Sequence, residues 1–502
     1  MSILALLAIP LIGSIITALM TSPRRMEIVY LLSAVEAFIA AVWVAADVSM
    51  HGSASWAGGF LYADSLSALV VLLTAFVYLI VAPYAVGYFR HDERFAEKDR
   101  IFGQANDPPT SRAKLRKYYA LAPLFAFCMF LVSTSNNLGV MWVAVEGTTL
   151  ASIFLVTFYA RPTSLEAAWK YAILGGVGLS MALFGTVLTY YAAHQVLAGD
   201  SLTALNWSVL VSNAAQFDKP AMRLAFILVL LGFGTKAGLA PMHTWKPDAY
   251  SEAPVPVAVL MATAQLNCSL YALARFYVLT SRCLGPSFGS GLLILFGLLS
   301  IGIAVPFILV QRNYRRLLAY SSIEHAGIMA LGLGFGGVLG PLGMLLHMTF
   351  HSITKPLLFF CAGNAQQHMG NDSLRKDTGG LLHVLPVSAS MFLLGVLAMT
   401  GTPPFSMFQS EFTVLRAGFA AQNTTAAVLF VAFVVAIFCG FYHHISQLIF
   451  GPSTGIPRGA FSRWKTYPVI VLAALVTVLG FWLPAPIHEL VTGAAKVLEV
   501  QP

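Results

Sequence analysis

The sequence predicts an all-α polytopic membrane protein of about fourteen transmembrane helices. Three observations predict it. Of the 502 residues, 58% are hydrophobic and only 10% are charged, a balance that soluble domains do not show. Apolar stretches near the ~20 residues needed to cross a bilayer recur along the whole chain. Most of the 29 Lys and Arg fall in the short segments between those stretches.

In order, the expected spans lie near residues 2–20, 27–48, 64–88, 117–136, 138–158, 166–193, 222–244 and 254–280. The later ones lie near 289–310, 317–336, 338–362, 383–415 (interrupted), 424–449 and 466–485. The first lacks a basic leader, since Arg24 and Arg25 follow it, and is read as a retained helix. The longest loops, 89–116 and 194–221, are too short for a soluble domain. Four segments result: a three-helix N-terminal part with its loop (1–116), two helical units (117–280 and 289–449), and a C-terminal helix (450–502).

Loop charge orients the chain. With the N-terminus outside, twenty basic residues face the cytoplasm. They are Arg24, Arg25, the eight from Arg90 to Lys117, and Arg161, Lys246, Arg312, Arg315, Arg316, Arg375, Lys376, Arg458, Arg463 and Lys465. Lys219, Arg223, Arg275, Arg282, Arg416 and Lys496 face outward. Both termini are therefore expected outside a bacterial inner membrane. A net charge of +8 resides in these loops, so no nucleic-acid partner is expected. The five cysteines are scattered without CxxC spacing, which argues against an iron–sulfur cluster or a disulfide framework.

Seven ionisable residues remain inside the spans: Lys170, Lys236, Lys355, Glu36, Glu146, Glu324 and Glu411. Such groups are expensive in a bilayer and usually mark ion pathways. The organising stretch is 225–258, a hydrophobic span loosened by Gly232, Gly234 and Gly238 and interrupted at Pro241. Lys236 sits in its middle. Broken helices carrying charge at membrane depth are a transporter's way of building ion sites.

Glu146, in NNLGVMWVAVEGTTLASIFLV, is the expected ion-pair partner of Lys236, either as a pump element or as a static tether between helices. His347, His351 and Lys355, in HMTFHSITKPLLFF, recur every four residues and share one helix face. Histidine titrates near neutral pH and suits a proton relay. A metal pair has the same spacing, but no HExxH motif or third ligand accompanies it, and no metal is expected. Pro356 should break the helix beside Lys355. Glu411 follows GTPPFSMFQSEF, a second proline interruption that echoes the first. The two interruptions suggest inverted five-helix repeats, since each unit holds an odd number of helices.

Lys170, in LEAAWKYAILGG, either joins a conduit or snorkels to the interface. Glu324 and His325, near the basic 312–316 loop, are a candidate proton entrance or an interfacial pair. His243 and Lys246, expected at the cytoplasmic end of the broken helix, are a second candidate entrance or a solvated loop. Glu36 has no companion and reads as a local polar group.

At these residues the sequence resembles the antiporter-like membrane subunits of respiratory complex I, of multisubunit sodium/proton antiporters and of energy-converting hydrogenases, in particular the hydrogenase-4 and formate hydrogenlyase branch. Four motifs carry the likeness: NNLGVMWVAVEGTTL, SLEAAWKYAILGGVGL, GTKAGLAPMHTWKPDAYSEAPVPV and HMTFHSITKPLLFF. The resemblance implies fourteen helices, two inverted five-helix repeats and a mid-membrane chain of Lys, His and Glu. It carries proton translocation onto Glu146, Lys170, Lys236, His347, His351, Lys355 and Glu411. Asn267 stands where many relatives have lysine or histidine, and Gly147 where they have a larger residue. No long lateral helix follows the last span, which favours the hydrogenase-type or the middle antiporter-like subunits.

The resemblance implies a proton-translocating subunit with no cofactor or redox centre of its own. Its partners would be other antiporter-like and anchoring membrane subunits and a soluble hydrogenase or dehydrogenase module carrying the metal centres. A cation/proton antiporter subunit, an ion-coupled partner of a non-redox complex such as inorganic-carbon uptake, and a structural anchor are the alternatives.

Overall fold

The structure is a computed structural model, and it describes residues 1–91, 109–194, 196–197, 203–374, 379–452, 455–459 and 462–499. The loop charges Arg94, Lys98, Arg100, Arg375 and Lys376 lie outside the described residues.

The first helices are α1 (Ser2–Leu19), α2 (Pro23–His51), α3 (Ser65–Arg90), α4 (Pro109–Thr134), α5 (Leu138–Val156) and α6 (Pro162–His194). Then come α7 (Lys219–Ala237), the short α8 (Trp245–Glu252) and α9 (Val255–Leu284). The second part holds α10 (Pro286–Leu309), α11 (Tyr314–Phe335), α12 (Leu339–Met369), α13 (Pro386–Met399), α14 (Ser406–Ala420) and α15 (Thr424–Phe450). It ends with α16 (Arg463–Phe481) and α17 (Ala485–Leu498).

Every expected span corresponds to a helix or, for 383–415, to the interrupted pair α13–α14. Among the described residues, 11 helices are long and apolar enough to cross a membrane. The expected spans outside that set are α11, α12 and α13–α14. Both α11 (22 residues) and α12 (31 residues) have the length. Their own charged and histidine side chains dilute the apolar character.

Side-chain caps set several helix starts. Asp64, Asn137, Asp218 and Asn313 each accept a backbone N–H in the first turn of α3, α5, α7 and α11. Glycines let helices close on one another. A Cβ on Gly178, Gly185 or Gly232 would strike the facing helix of the α6–α7 pair, and Gly297 and Gly327 do the same for α10–α11. Large apolar side chains such as Ile39, Trp169, Ile173 and Phe184 are exposed, as a lipid-facing surface requires.

The expected all-α fold is present, with one small two-stranded antiparallel hairpin, Ala54–Trp56 with Leu61–Ala63, joining α2 to α3. Several expectations need correction. The last segment holds two helices, because α17 is amphipathic and buries Leu490, Val491 and Leu498 against α3 and α12. α12 runs unbroken through Pro356. The proline removes one backbone hydrogen bond, but the surrounding helices enclose that turn and hold it in register. Glu36 lies within α2, as expected, and is exposed on its outer face.

Three loop charges are also buried. Arg275 is an ion-pair partner of Asp64 at 2.6 Å and lies 4.1 Å above the Trp207 ring. Burial alone would raise the Asp64 carboxyl, but Arg275 and the Ser67 N–H beside it hold it below the usual range. Arg315 donates to the Tyr250 and Ala253 carbonyls. Lys246 is fully buried. Removing these three from the loop counts leaves eighteen basic residues on the side expected to be cytoplasmic against five, so the charge bias persists.

Candidate functional site

The first helix break begins at Gly238, which caps α7 in the left-handed region (φ 74°). A side chain there would be strained and would overlap Lys246. The second break is built alike: Gly401 (φ 65°) separates α13 from α14, and a Cβ on it would overlap the Glu411 carboxylate. Each break thus houses an ionisable side chain in the space a glycine leaves.

Lys236 occupies the last turn of α7 and is buried. Its Nζ donates to Thr149 Oγ1 at 2.7 Å and to the Tyr171 hydroxyl at 2.6 Å, and lies 4.9 Å above the Tyr171 ring. Gln265 Nε2 also donates to that hydroxyl, at 3.1 Å, from a π-helical turn (Met261–Gln265) in α9. With two donors arriving, the Tyr171 proton is directed to Ser152 Oγ, 2.8 Å away. The Trp245 ring packs 4.5 Å from Tyr171.

The expected Glu146–Lys236 ion pair does not form within 4 Å. Glu146 faces Lys236 across space, and its Oε2 is buried without a partner. Hydroxyls from α5 and α6 take the place of the carboxylate. Gly147 lies against Cys128 of α4, so the small residue there serves close packing between helices.

Around Lys355 the groups are denser. Its Nζ donates to Ser321 Oγ on α11, and Glu324 is its acidic neighbour. His325 Nδ1 and His347 Nε2 are 2.9 Å apart, and His347 Nδ1 is 3.0 Å from Ser410 Oγ on α14. His351 stacks at a tilt on His325, with ring centres 5.2 Å apart. The row ends at Glu411 on α14, whose carboxylate lies within 4.8 Å of ring nitrogens of His325 and His347. Glu324 and His325 therefore sit within the interior row and not at an entrance. They face inward because α11 buries nearly its whole surface.

Between the two lysine sites lies Lys246. Its Nζ donates to the Ala237 carbonyl and, at 3.4 Å, to the Ser322 carbonyl. It is neither loop nor entrance: α8 folds back and directs the side chain into the break. His243 is also buried, with Nδ1 unpartnered. Asn267 bridges to Ser352 Oγ at 2.8 Å.

Lys170 does not join the row. It is nearly half exposed and pairs with Glu166 (2.7 Å) and Asp248 (3.0 Å), which in turn binds Arg316. Its neighbour Tyr171 faces inward instead. Sequence reasoning missed Tyr171, Thr149, Gln265 and Ser321. A signal for Tyr171 exists, since a tyrosine inside an apolar span must satisfy its hydroxyl.

Buried polar atoms without partners collect along this row: Glu146 Oε2, His243 Nδ1, Gln265 Oε1, Asn267 Oδ1, His325 Nε2 and both nitrogens of His351. Leaving such a group unsatisfied costs about 1–3 kcal/mol, a burden suited to a path that exchanges protons or water. One cation-holding set is also present, as His325, His347 and Glu411 place ligand atoms within 4.8 Å of one another. His325 and His347 already spend facing nitrogens on each other.

Comparison with known proteins agrees with this architecture. The sequence pattern of the family described as NADH:quinone oxidoreductase/Mrp antiporter, transmembrane, matches residues 135–438. The chain is 35% identical to the hydrogenase-4 component F homolog of Methylacidiphilum infernorum, over 97% of this chain and 98% of that one. It is 31% identical to NADH-quinone oxidoreductase subunit N of Desulforudis audaxviator, over 73% and 74%. In fold it matches a chain of the membrane-bound sulfane sulfur reductase, an archaeal respiratory membrane complex. There the TM-score is 0.85 at 24% identity, covering 99% of this chain and 98% of that one. From its family pattern and its full-length relative, the chain belongs to the NADH:quinone oxidoreductase/Mrp antiporter family of multi-pass membrane subunits.

Proposed function

We propose that this chain translocates protons along the buried Lys/His/Glu row, as a membrane subunit of an energy-converting hydrogenase or NADH-dehydrogenase-like complex. The observation that carries the reading is the set of buried ionisable groups around the two breaks: Lys236, Lys246, Lys355, the three histidines and Glu411, with unpartnered polar atoms among them. Two inverted units, 117–280 and 289–449, would each contribute one broken helix and one lysine site.

In this reading Lys236 and Lys355 hold the proton midway. Glu146 modulates Lys236 from a distance, and His351, His325 and His347 pass protons between Lys355 and Glu411. Moving one charge against 100 mV requires about 2.3 kcal/mol. A change in pKa of roughly two units supplies that, at about 1.4 kcal/mol per unit. Electron transfer belongs to partner subunits, including a soluble module with the metal centres. The membrane is the bacterial inner membrane, with both termini outside. Lys170 is assigned to the surface network and not to the path.

The test uses the assembled complex in inverted membrane vesicles supplied with hydrogen or NADH, read by quenching of a pH-sensitive dye. Lys236→Ala should abolish quenching while the subunits still co-purify. Wild-type quenching in that variant would sink the reading. The buried carboxylates Glu324 and Glu411 favour a cation/proton antiporter as the second reading, because sodium prefers oxygen ligands. Dependence of dye quenching on added sodium separates the two.

A further inference from the structure

We propose that Lys246 is the relay cation that joins the Lys236 and Lys355 sites, and so completes the proton path assumed in the proposed function. Its two backbone contacts point to this. Ala237, whose carbonyl accepts from Nζ, directly follows Lys236 in the chain. Ser322, whose carbonyl also accepts, directly follows Ser321, the residue that binds Lys355 Nζ. The ammonium is thus one residue removed from the anchor of each lysine site.

The surroundings suit a group that changes its charge. Lys246 is fully buried and forms no ion pair with any carboxylate among the described residues. A structural ammonium in that position would normally be paired, because its desolvation costs several kcal/mol. Here the partners are two carbonyls and the Tyr250 ring, 5.8 Å away. One carbonyl closes the C-terminal end of α7, where the helix dipole favours a cation, and half-helix C-termini serve as cation sites in transporters.

The titratable groups facing Lys246 are His243 on its own segment, His325 on α11, and His351 and Lys355 on α12. Lys246 is hydrogen-bonded both to the segment that carries Lys236 and to the segment whose Ser321 accepts from Lys355. The Gly238 space that admits Lys246 is matched by the Gly401 space that admits Glu411.

The step is a proton exchange with no change of oxidation state. An N–H bond breaks at the Lys236 ammonium and one forms at neutral Lys246, directly or through one water. The same exchange then carries the proton from Lys246 to Lys355. Lysine can do this because its ammonium sits on a flexible four-carbon stem and releases its proton when buried.

The experiment compares Lys246→Arg and Lys246→Met with Lys236→Ala in the complex in inverted vesicles, using hydrogen or NADH and the same dye. Arginine keeps the positive charge but cannot release its proton in a protein. Both Lys246 variants should lose at least about tenfold in quenching per electron transferred, with assembly and electron transfer retained. If Lys246→Arg pumps as wild type, the residue is a structural cation and the relay is overturned. Should Lys246→Met fail to assemble, the arginine variant still decides. Normal pumping by Lys236→Ala would overturn the conduction path itself, whereas its failure beside a normal Lys246→Arg would overturn the relay alone. A second readout is restoration: adding Asn267→Lys to Lys246→Met places an ammonium beside Ser352 and should recover part of the quenching.

Discussion

Lys236 and Lys355 are both buried lysines, yet their surroundings differ. Lys236 is held by two hydroxyls and an aromatic face, with its acidic neighbour Glu146 out of contact and only half-buried. Lys355 has one hydroxyl partner, a fully enclosed carboxylate neighbour and three histidines within the same cluster. Hydroxyls and rings stabilise an ammonium without offering it a proton acceptor of comparable affinity. Carboxylates and imidazoles do offer one. On the proposed path, the comparison predicts a division of labour: the first site should hold its proton longer than the second before passing it on.

That contrast can be broken first at the carboxylates. Glu324→Gln should lower dye quenching at least about tenfold, because the group is the buried acidic neighbour of Lys355. Glu146→Gln should lower it by no more than about threefold, since Glu146 acts only across space. Equal losses in the two variants, measured in the same vesicles, would show that the sites work alike.

Tyr171→Phe sharpens the comparison from the other side. It keeps the ring and removes one of the two hydroxyls on Lys236. A hydrogen bond to a charged group contributes about 1.5–3 kcal/mol, so the pH at half-maximal quenching should shift while Lys355-side variants leave it in place. An unmoved pH profile would mean that Tyr171 only packs. The smallest effect is expected for Lys170→Gln. Its ion pairs with Glu166 and Asp248 are exposed and count for little in high dielectric, so quenching should stay within about twofold. A larger loss would return Lys170 to the path.

Much of this architecture is legible in the amino-acid order alone. Hydropathy marks the spans because the bilayer demands length and apolarity together, and glycine with proline marks both breaks. The four-residue recurrence of His347, His351 and Lys355 places all three on the enclosed side of α12. Less legible is anything that depends on how helices meet. Lys246 sits in HTWKPDAY, a stretch polar enough to read as loop, and only the return of α8 into the break buries it. Glu324 and His325 lie near a basic loop in sequence, but α11 is surrounded on all sides. Pro356 reads as a break because a proline's local cost is visible in sequence and the packing that offsets it is not.

The surface network has a mechanical side. Asp248 grips Lys170 of α6 and Arg316 of α11 from the same short helix that carries Lys246 two residues earlier. Eight residues of helix make a rod of about 12 Å, too short to bend. α8 is therefore a lever with its handle at the membrane surface and its working end in the break. Displacing Asp248 would tilt the same rod that holds the Lys246 ammonium.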